Sequence, residues 1–211
     1  MQPLPKLVIA TSNPGKLRDF QGAASNHQIE IEALPAFSSI PQAVESGATF
    51  EENARIKAEH YSLFSPGRLV VADDSGLAVD ALEGAPGVHS ARYAAVVKGG
   101  TGHHTNSDDE ENNQLLISQL ENVPEKLRSG KFICVIAAAR DGKTLGTFAG
   151  EVEGQLLTHR RSHQGFGYDP LFFFPALNKT FAELSSEAKA LYSHRGIAFR
   201  HLLDWYLTAK I

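Results

Sequence analysis

Apolar residues fall in short clusters separated by turn-forming residues. Leu7-Val8-Ile9-Ala10, entered from Lys6, has strand length. Ser, Asn, Pro and Gly within Thr11–Lys16 then make a tight turn, and a helix follows over about Leu17–Ala24. A short strand near Ile29–Leu34 returns. Thr49 and Glu52 have capping-box spacing; Ala54, Ala58 and Tyr61 recur at helical intervals to near Phe64, and Pro66-Gly67 ends that helix. Arg68–Ala72 reads as a strand, Asp73-Asp74-Ser75-Gly76 as a turn interrupting it, and Leu77-Ala78-Val79 as its resumption.

The second half follows the same logic. Residues 98–113 are the most polar stretch, with His103-His104 and an acidic cluster, and read as an exposed loop; Ser107 with Glu110 caps a helix to about Leu120. Lys131–Arg140 is a strand, Asp141-Gly142 a hairpin turn, and Thr144–Leu157 the partner, broken near Gly150 or Gly154. Phe172-Phe173-Phe174 is assigned to the core. Thr180 and Glu183 form a second capping box, and Phe199, Leu202, Leu203 and Tyr206 trace one face of a last helix. Strands alternating with helices, with hairpin signals in the middle, predict an α/β fold with a mixed sheet. No linker or repeat separates parts of the chain, so residues 1–211 are expected to form one domain, whole or as two lobes sharing a core.

Composition narrows the function. A formal charge of −4 over 211 residues argues against broad nucleic-acid or membrane surfaces, which need a basic excess, but leaves room for one basic pocket. The single cysteine, Cys134, lies in an apolar run and allows no intrachain disulfide. Leu7–Ala10 is too short for a signal peptide or membrane span, so a cytoplasmic protein is expected.

Five stretches carry candidate chemistry. The strand–turn–helix of Thr11, Ser12, Asn13, Pro14, Gly15 and Lys16 can receive phosphate through backbone N–H groups, the helix dipole and a lysine, though it lacks Walker A spacing; a plain structural loop fits it equally well. Asp73 and Asp74 are adjacent, so in an extended strand they face opposite sides and cannot share one task; one suits a Mg²⁺ ion or a water, and an Asx-type turn is the alternative. In Gly165-Phe166-Gly167-Tyr168-Asp169-Pro170, the glycines permit close backbone approach and Phe166 offers a face for a base, or a corner of the core. Lys189 with Ser193-His194-Arg195 brings donors to one region between helices. Asn53 and Lys57 share a helix face, where Lys57 meets either a phosphate or the neighbouring Glu51 and Glu52. His159 and His163 have ligand spacing but no companion ligands, and a zinc site there is not expected.

These pieces, in this order, resemble the Ham1/RdgB-type inosine and xanthosine triphosphate pyrophosphatases. The matching stretches are residues 9–16, 49–54 with Lys57-Ala58, 72–80, 84–93, 165–170, and Lys189 with Ser193–Gly196. The resemblance implies an elongated, two-lobed α/β fold with a nucleotide cleft. It also implies Mg²⁺-dependent cleavage of the α–β phosphate link of ITP, dITP and XTP to monophosphate and pyrophosphate, and a homodimer. By position, Thr11–Lys16 hold the triphosphate, Asp74 is the catalytic base and a Mg²⁺ ligand, and Ser75 touches substrate. Phe166, Gly167, Tyr168 and Asp169 line the base pocket; Lys189, His194 and Arg195 complete the site; Lys57 is a further phosphate contact.

One departure stands out. Where family members often carry two adjacent acidic residues before the Thr-Phe-x-Glu-Asn stretch, this chain has Val44-Glu45-Ser46-Gly47. Glu45 is the candidate second metal ligand, with Glu51 and Asp73 behind it. Selectivity has a physical basis: a 6-oxo purine offers an acceptor where adenine offers a donor, so donors from His194, Arg195 or nearby backbone are left unpaired by adenine, at about 1–3 kcal/mol each. Two competing readings are a Maf-like pyrophosphatase acting on modified pyrimidine nucleotides, and a nucleotide sensor without catalysis.

Overall fold

The computed structural model describes residues 6–25, 29–99 and 106–209; the expectation placed on His103-His104 lies outside them. Seven strands form a mixed sheet in the order β2-β1-β3-β4-β5-β6-β7: β1 Leu7–Ile9, β2 Ile31–Ala33, β3 Val70–Val79, β4 Ser129–Arg140, β5 Lys143–Leu156, β6 Phe172–Phe174 and β7 Lys179–Thr180. The helices among the described residues are α1 Pro14–Ser25, α2 Phe50–Ser62, α3 Tyr93–Val97, α4 Asp109–Leu120, α5 Ser186–Tyr192 and α6 His194–Thr208. None of them is long and apolar enough to cross a membrane. The chain divides into two compact units, one from residues 1–74, 134–150 and 186–211, the other from residues 75–133 and 151–185.

In the first unit, β1 runs parallel to β2 on one side (Leu7 opposite Ile31) and to β3 on the other (Val8 opposite Val70). Strand alternation divides its apolar residues between two cores. Leu7, Ile9, Val71, Cys134, Ile136 and Ala138 pack with Phe20 of α1 and with Ala198, Phe199, Leu202, Leu203 and Tyr206 of α6. Val8, Ala10, Val70, Ala72, Val135, Ala137 and Ala139 pack with Ala54, Ala58 and Tyr61 of α2. The four residues predicted to face inward from the last helix therefore do so, and Cys134 is a buried core residue. Both halves of the Thr49/Glu52 capping box are formed. The hairpin turn between β4 and β5 places Asp141 at φ 50° and Gly142 at φ 80°, left-handed backbone suited to a two-residue hairpin loop.

In the second unit, β6 pairs antiparallel with β5 (Leu156 opposite Phe172) and with β7 (Phe173 opposite Thr180). The rings of Phe132, Phe172 and Phe181 form its aromatic centre, with centroids 4.5–5.5 Å apart. The Thr180/Glu183 capping box is formed, but it closes a 3₁₀ turn over Phe181–Glu183.

Four expectations about elements are corrected. Asp73–Gly76 does not interrupt β3, which continues from Val70 to Val79; the carboxylates are buried there because cations answer them. Strand β5 has no break at Gly150 or Gly154. These glycines mark close packing instead: a Cβ at Gly150 would lie 2.5 Å from the Ala198 N, and one at Gly154 would lie 2.6 Å from the Phe172 ring. Asp108, not Ser107, caps α4, its Oδ1 accepting from the Glu110 N–H at 2.9 Å; the Ser107 Oγ accepts from the Ala95 N–H instead. Of the three consecutive phenylalanines only Phe172 is fully buried, and Phe173 carries the Arg161 guanidinium 5.4 Å over its ring.

Candidate active site

Helix α1 begins as its sequence dictates. Pro14 takes the first helical position, where its missing N–H costs nothing, and the Asn13 Oδ1 accepts from the Gly15 and Lys16 N–H groups at 2.8 and 3.2 Å. The Asn13 N–H donates to the Thr11 Oγ1 at 3.1 Å. The turn is thus organised by its own side chains. Ser12, Asn13 and Pro14 stay exposed, and Lys16 sits at its inner end.

Strand β3 supplies the two carboxylates, and alternation sends them to different partners. Asp73, with a side chain 1% exposed, faces the cations of one side: its Oδ2 lies 2.9 Å from the Lys16 Nζ and 3.6 Å from the Arg195 Nε. Burial alone would raise the Asp73 carboxyl, but Lys16, Arg195 and Lys57 together outweigh it and hold the group well below the usual carboxylate range. Arg195 also donates to the Asp19 Oδ2 at 2.7 Å, so its guanidinium joins a carboxylate of α1 to one of β3. Burial would lower Arg195, and Asp73, Cys134 and Asp19 overcome it, so the charge is permanent.

Asp74 meets α2. The Lys57 Nζ donates to its Oδ1 at 2.7 Å and stands 3.4 Å from the Glu45 Oε2, while the Asn53 Nδ2 donates to the Asp74 Oδ2 at 3.4 Å. Of the two partners foreseen for Lys57, the carboxylates met are Asp74 and Glu45 rather than Glu51 or Glu52. The Glu52 carboxylate is engaged in the capping box, and Glu51 accepts from the Thr147 hydroxyl. Burial raises the Asp74 carboxyl more than Lys57 and Lys16 lower it, and Glu45 adds to the rise. For Lys57, burial pulls downward and Asp74, Glu45 and Asp73 pull harder upward, so the ammonium is retained. The two adjacent carboxylates are therefore shifted in opposite directions: Asp73 downward by its cations, Asp74 upward by burial.

His194 opens α6 and is buried; burial first, then the Arg195 charge, hold it well below its ordinary value, so it is a neutral imidazole. Lys189 lies half-buried in the last turn of α5. Ser75, Phe166, Gly167, Tyr168 and Asp169 belong to the second unit. There Tyr168 is buried and donates to the Ser90 carbonyl at 2.9 Å, and Phe166 is half-buried between Gly165 and Gly167, both left-handed.

Glu45 and Asp74 converge on one positive group, the Lys57 ammonium, and both are hard oxygen donors. Among the described residues no cluster of three or more His, Cys, Asp or Glu could hold a metal unaided. Two carboxylates without a full cage fit Mg²⁺, which keeps waters and leans on substrate phosphates. Asp73, bound to Lys16 and Arg195, is the less suitable donor. Asp19 was missed from sequence; its place three residues after Lys16, on the same helix face, was the available signal.

A mixed-sheet α/β protein in which lysines of α1 and α2 pair with adjacent carboxylates of β3 is the class these features define. The chain belongs to the Ham1 family, whose profile matches residues 7–205. It is 48% identical to the dITP/XTP pyrophosphatase of Acidobacterium capsulatum, over 93% of this chain and 96% of that protein. Among solved structures it is similar to a HAM1 protein from Coxiella burnetii (TM-score 0.79, 38% identity, covering 97% of this chain and 99% of the other). It is also similar to the Staphylococcus aureus Ham1 protein (TM-score 0.75, 37% identity, covering 95% and 97%).

Proposed function

We propose that this protein hydrolyses non-standard purine nucleoside triphosphates, dITP, ITP and XTP, to the monophosphate and pyrophosphate, working with Mg²⁺ as a cytoplasmic homodimer that has no use for nucleic acid or membrane. The observation that carries the reading is the separate pairing of the adjacent carboxylates, Asp73 with Lys16 and Asp74 with Lys57, and the 48%-identical relative, a dITP/XTP pyrophosphatase, supports the substrate class.

Phosphoryl transfer is chiefly positioning and electrostatic stabilisation. Thr11–Gly15 and Lys16 receive the triphosphate, with Lys57 and Lys189 as further phosphate contacts. Asp74 accepts a proton from the attacking water; the water oxygen bonds to the α-phosphorus as the bond to the α–β bridging oxygen breaks, and pyrophosphate leaves. Glu45 and Asp74 would hold Mg²⁺, which when bound offsets charge on the phosphates. Ser75 touches substrate, and the loop Phe166–Asp169 takes the base, with Phe166 as stacking face. Neutral His194 has a ring N–H and Arg195 five N–H donors, of which one is given to Asp19; donors of this kind favour a 6-oxo purine.

The test is pyrophosphate release from ITP, XTP, dTTP, UTP, ATP and GTP, with Mg²⁺ and with excess chelator. Preferential release from ITP and XTP, abolished by chelator, is expected. Equal rates on all substrates, stepwise orthophosphate release, or a preference for dTTP or UTP would each overturn the proposal.

A further inference from the structure

The polar stretch ahead of α4 finds a purpose in what its helical end touches. We propose that Asp109 and Asn113, one turn apart on α4, are positioning residues that set the face Phe166 presents to the base; this rests on the base-binding role of the 166–169 loop proposed above.

The backbone donors and acceptors of Phe166 and Gly167 are all engaged. The Phe166 N–H donates to the Asp169 Oδ2 at 3.2 Å, and the Phe166 carbonyl accepts from the Asp169 N–H at 3.2 Å. The Gly167 N–H donates to the Asp109 Oδ2 at 2.6 Å, and the Gly167 carbonyl accepts from the Asn113 Nδ2 at 2.9 Å. All four backbone polar groups of Phe166 and Gly167 are bonded, two within the loop and two to α4. Gly167 stands at φ 57°, where a peptide flip is easy for glycine; the contacts from α4 hold both its donor and its acceptor.

Asn113 is suited to anchoring. It is 1% exposed, and the same amide nitrogen also donates to the Asp109 carbonyl at 2.7 Å, tying it into its own helix. Asp108 already caps α4, so the Asp109 carboxylate is released for Gly167. They act on Phe166 through Gly167. Glu110, between them in sequence, instead pairs with Arg160 at 2.6 Å and serves as the internal control.

The experiment compares steady-state kinetics on ITP with Mg²⁺ for the full chain and for Asn113→Asp, Asp109→Ala, Asp109→Asn and Glu110→Gln, together with inhibition by inorganic tripolyphosphate, which has phosphates but no base. Asn113→Asp keeps shape while replacing the donor by an acceptor facing two carbonyls. It is expected to raise KM about tenfold with kcat within about threefold, the signature of lost substrate binding. Asp109→Ala is expected to raise KM about threefold to fivefold, Asp109→Asn to restore most of it by keeping one acceptor, and Glu110→Gln to match wild type. The tripolyphosphate inhibition constant stays within about twofold throughout, because the phosphate contacts are untouched. Unchanged KM in Asn113→Asp and Asp109→Ala, an equal rise in Glu110→Gln, or a parallel loss of tripolyphosphate affinity overturns the proposal. If Asn113→Asp does not fold, the Asp109→Ala and Asp109→Asn pair decides alone. A wild-type chain inert towards ITP would overturn the proposed function instead, a result distinct from active variants with unchanged KM.

Discussion

Replacing Asp73 and Asp74 one at a time by Asn separates what holds the site together from what acts in it. Asp73 is 1% exposed at its side chain, 2.9 Å from the Lys16 Nζ and 3.6 Å from the Arg195 Nε. At an effective dielectric constant of about 20 these pairs carry gross attractions of about 6 and about 5 kcal/mol, largely offset by the cost of burying the ions. Removing one partner from a buried pair costs about 3–5 kcal/mol because the other charges are stranded. The low end applies, since Arg195 retains Asp19 at 2.7 Å and Lys16 is 18% exposed and can reach water. For a chain of this length, about 3 kcal/mol lowers Tm by about 6–12 °C. Asp74→Asn strands less: Lys57 keeps Glu45 at 3.4 Å, and burial already disfavours the charge being removed. Its Tm is expected to equal or exceed wild type while turnover is lost. Circular-dichroism melting and pyrophosphate release on the same preparations read both effects. An Asp73→Asn protein melting within about 2 °C of wild type, or an Asp74→Asn protein melting below it, would refute the assignment.

Two further outcomes follow from the same unit. His194 is held neutral when folded, whereas in the unfolded chain it gains a proton below about pH 6.5. The unfolded state then binds the extra proton, so stability is full above that pH and declines as pH falls below it; Tm measured between about pH 7 and 5 should fall less steeply for His194→Gln, and an unchanged slope would count against a buried neutral histidine. Gly150→Ala places a Cβ against the His194 carbonyl and 2.5 Å from the Ala198 N, both backbone atoms of α6, and should cost about 1–3 kcal/mol, seen as a lower Tm; an unaltered melt would show that α6 yields freely.

Legibility in the sequence tracked locality. The α2 capping box, the 141–142 hairpin turn and the inward face of α6 depend on neighbours a few residues apart, and all were readable. The continuity of β3 through Asp73–Gly76 was not, because turn propensity gives way when cations from distant helices answer the carboxylates. Gly150 and Gly154 were misread for a related reason: a glycine that breaks a strand and one that admits a neighbouring backbone look alike until the neighbour is known. At the candidate site, Lys16, Lys57 and Asp74 were singled out in the sequence, the structure pairs Lys16 with Asp73 and Lys57 with Asp74, and adjacency in a strand already implied separate partners for the two carboxylates. Asp19 and Asn113 were overlooked because their significance lies in one long-range contact each, to Arg195 and to the Gly167 carbonyl.

The first unit's core draws on both the opening strand and α6. Phe199, Leu202 and Leu203 cover the side of β1 that bears Leu7 and Ile9. During synthesis the ribosome delivers these partners only after the whole of the second unit has emerged. That unit, from residues 75–133 and 151–185, can gather its own aromatic centre while the nascent first strand still lacks half its cover. Until α6 arrives, Leu7, Ile9 and Phe20 form an adhesive apolar surface of the kind chaperones recognise. A stalled or prematurely terminated chain is therefore not a smaller version of the protein but one with one side of its first strand uncovered, a natural substrate for quality-control proteolysis.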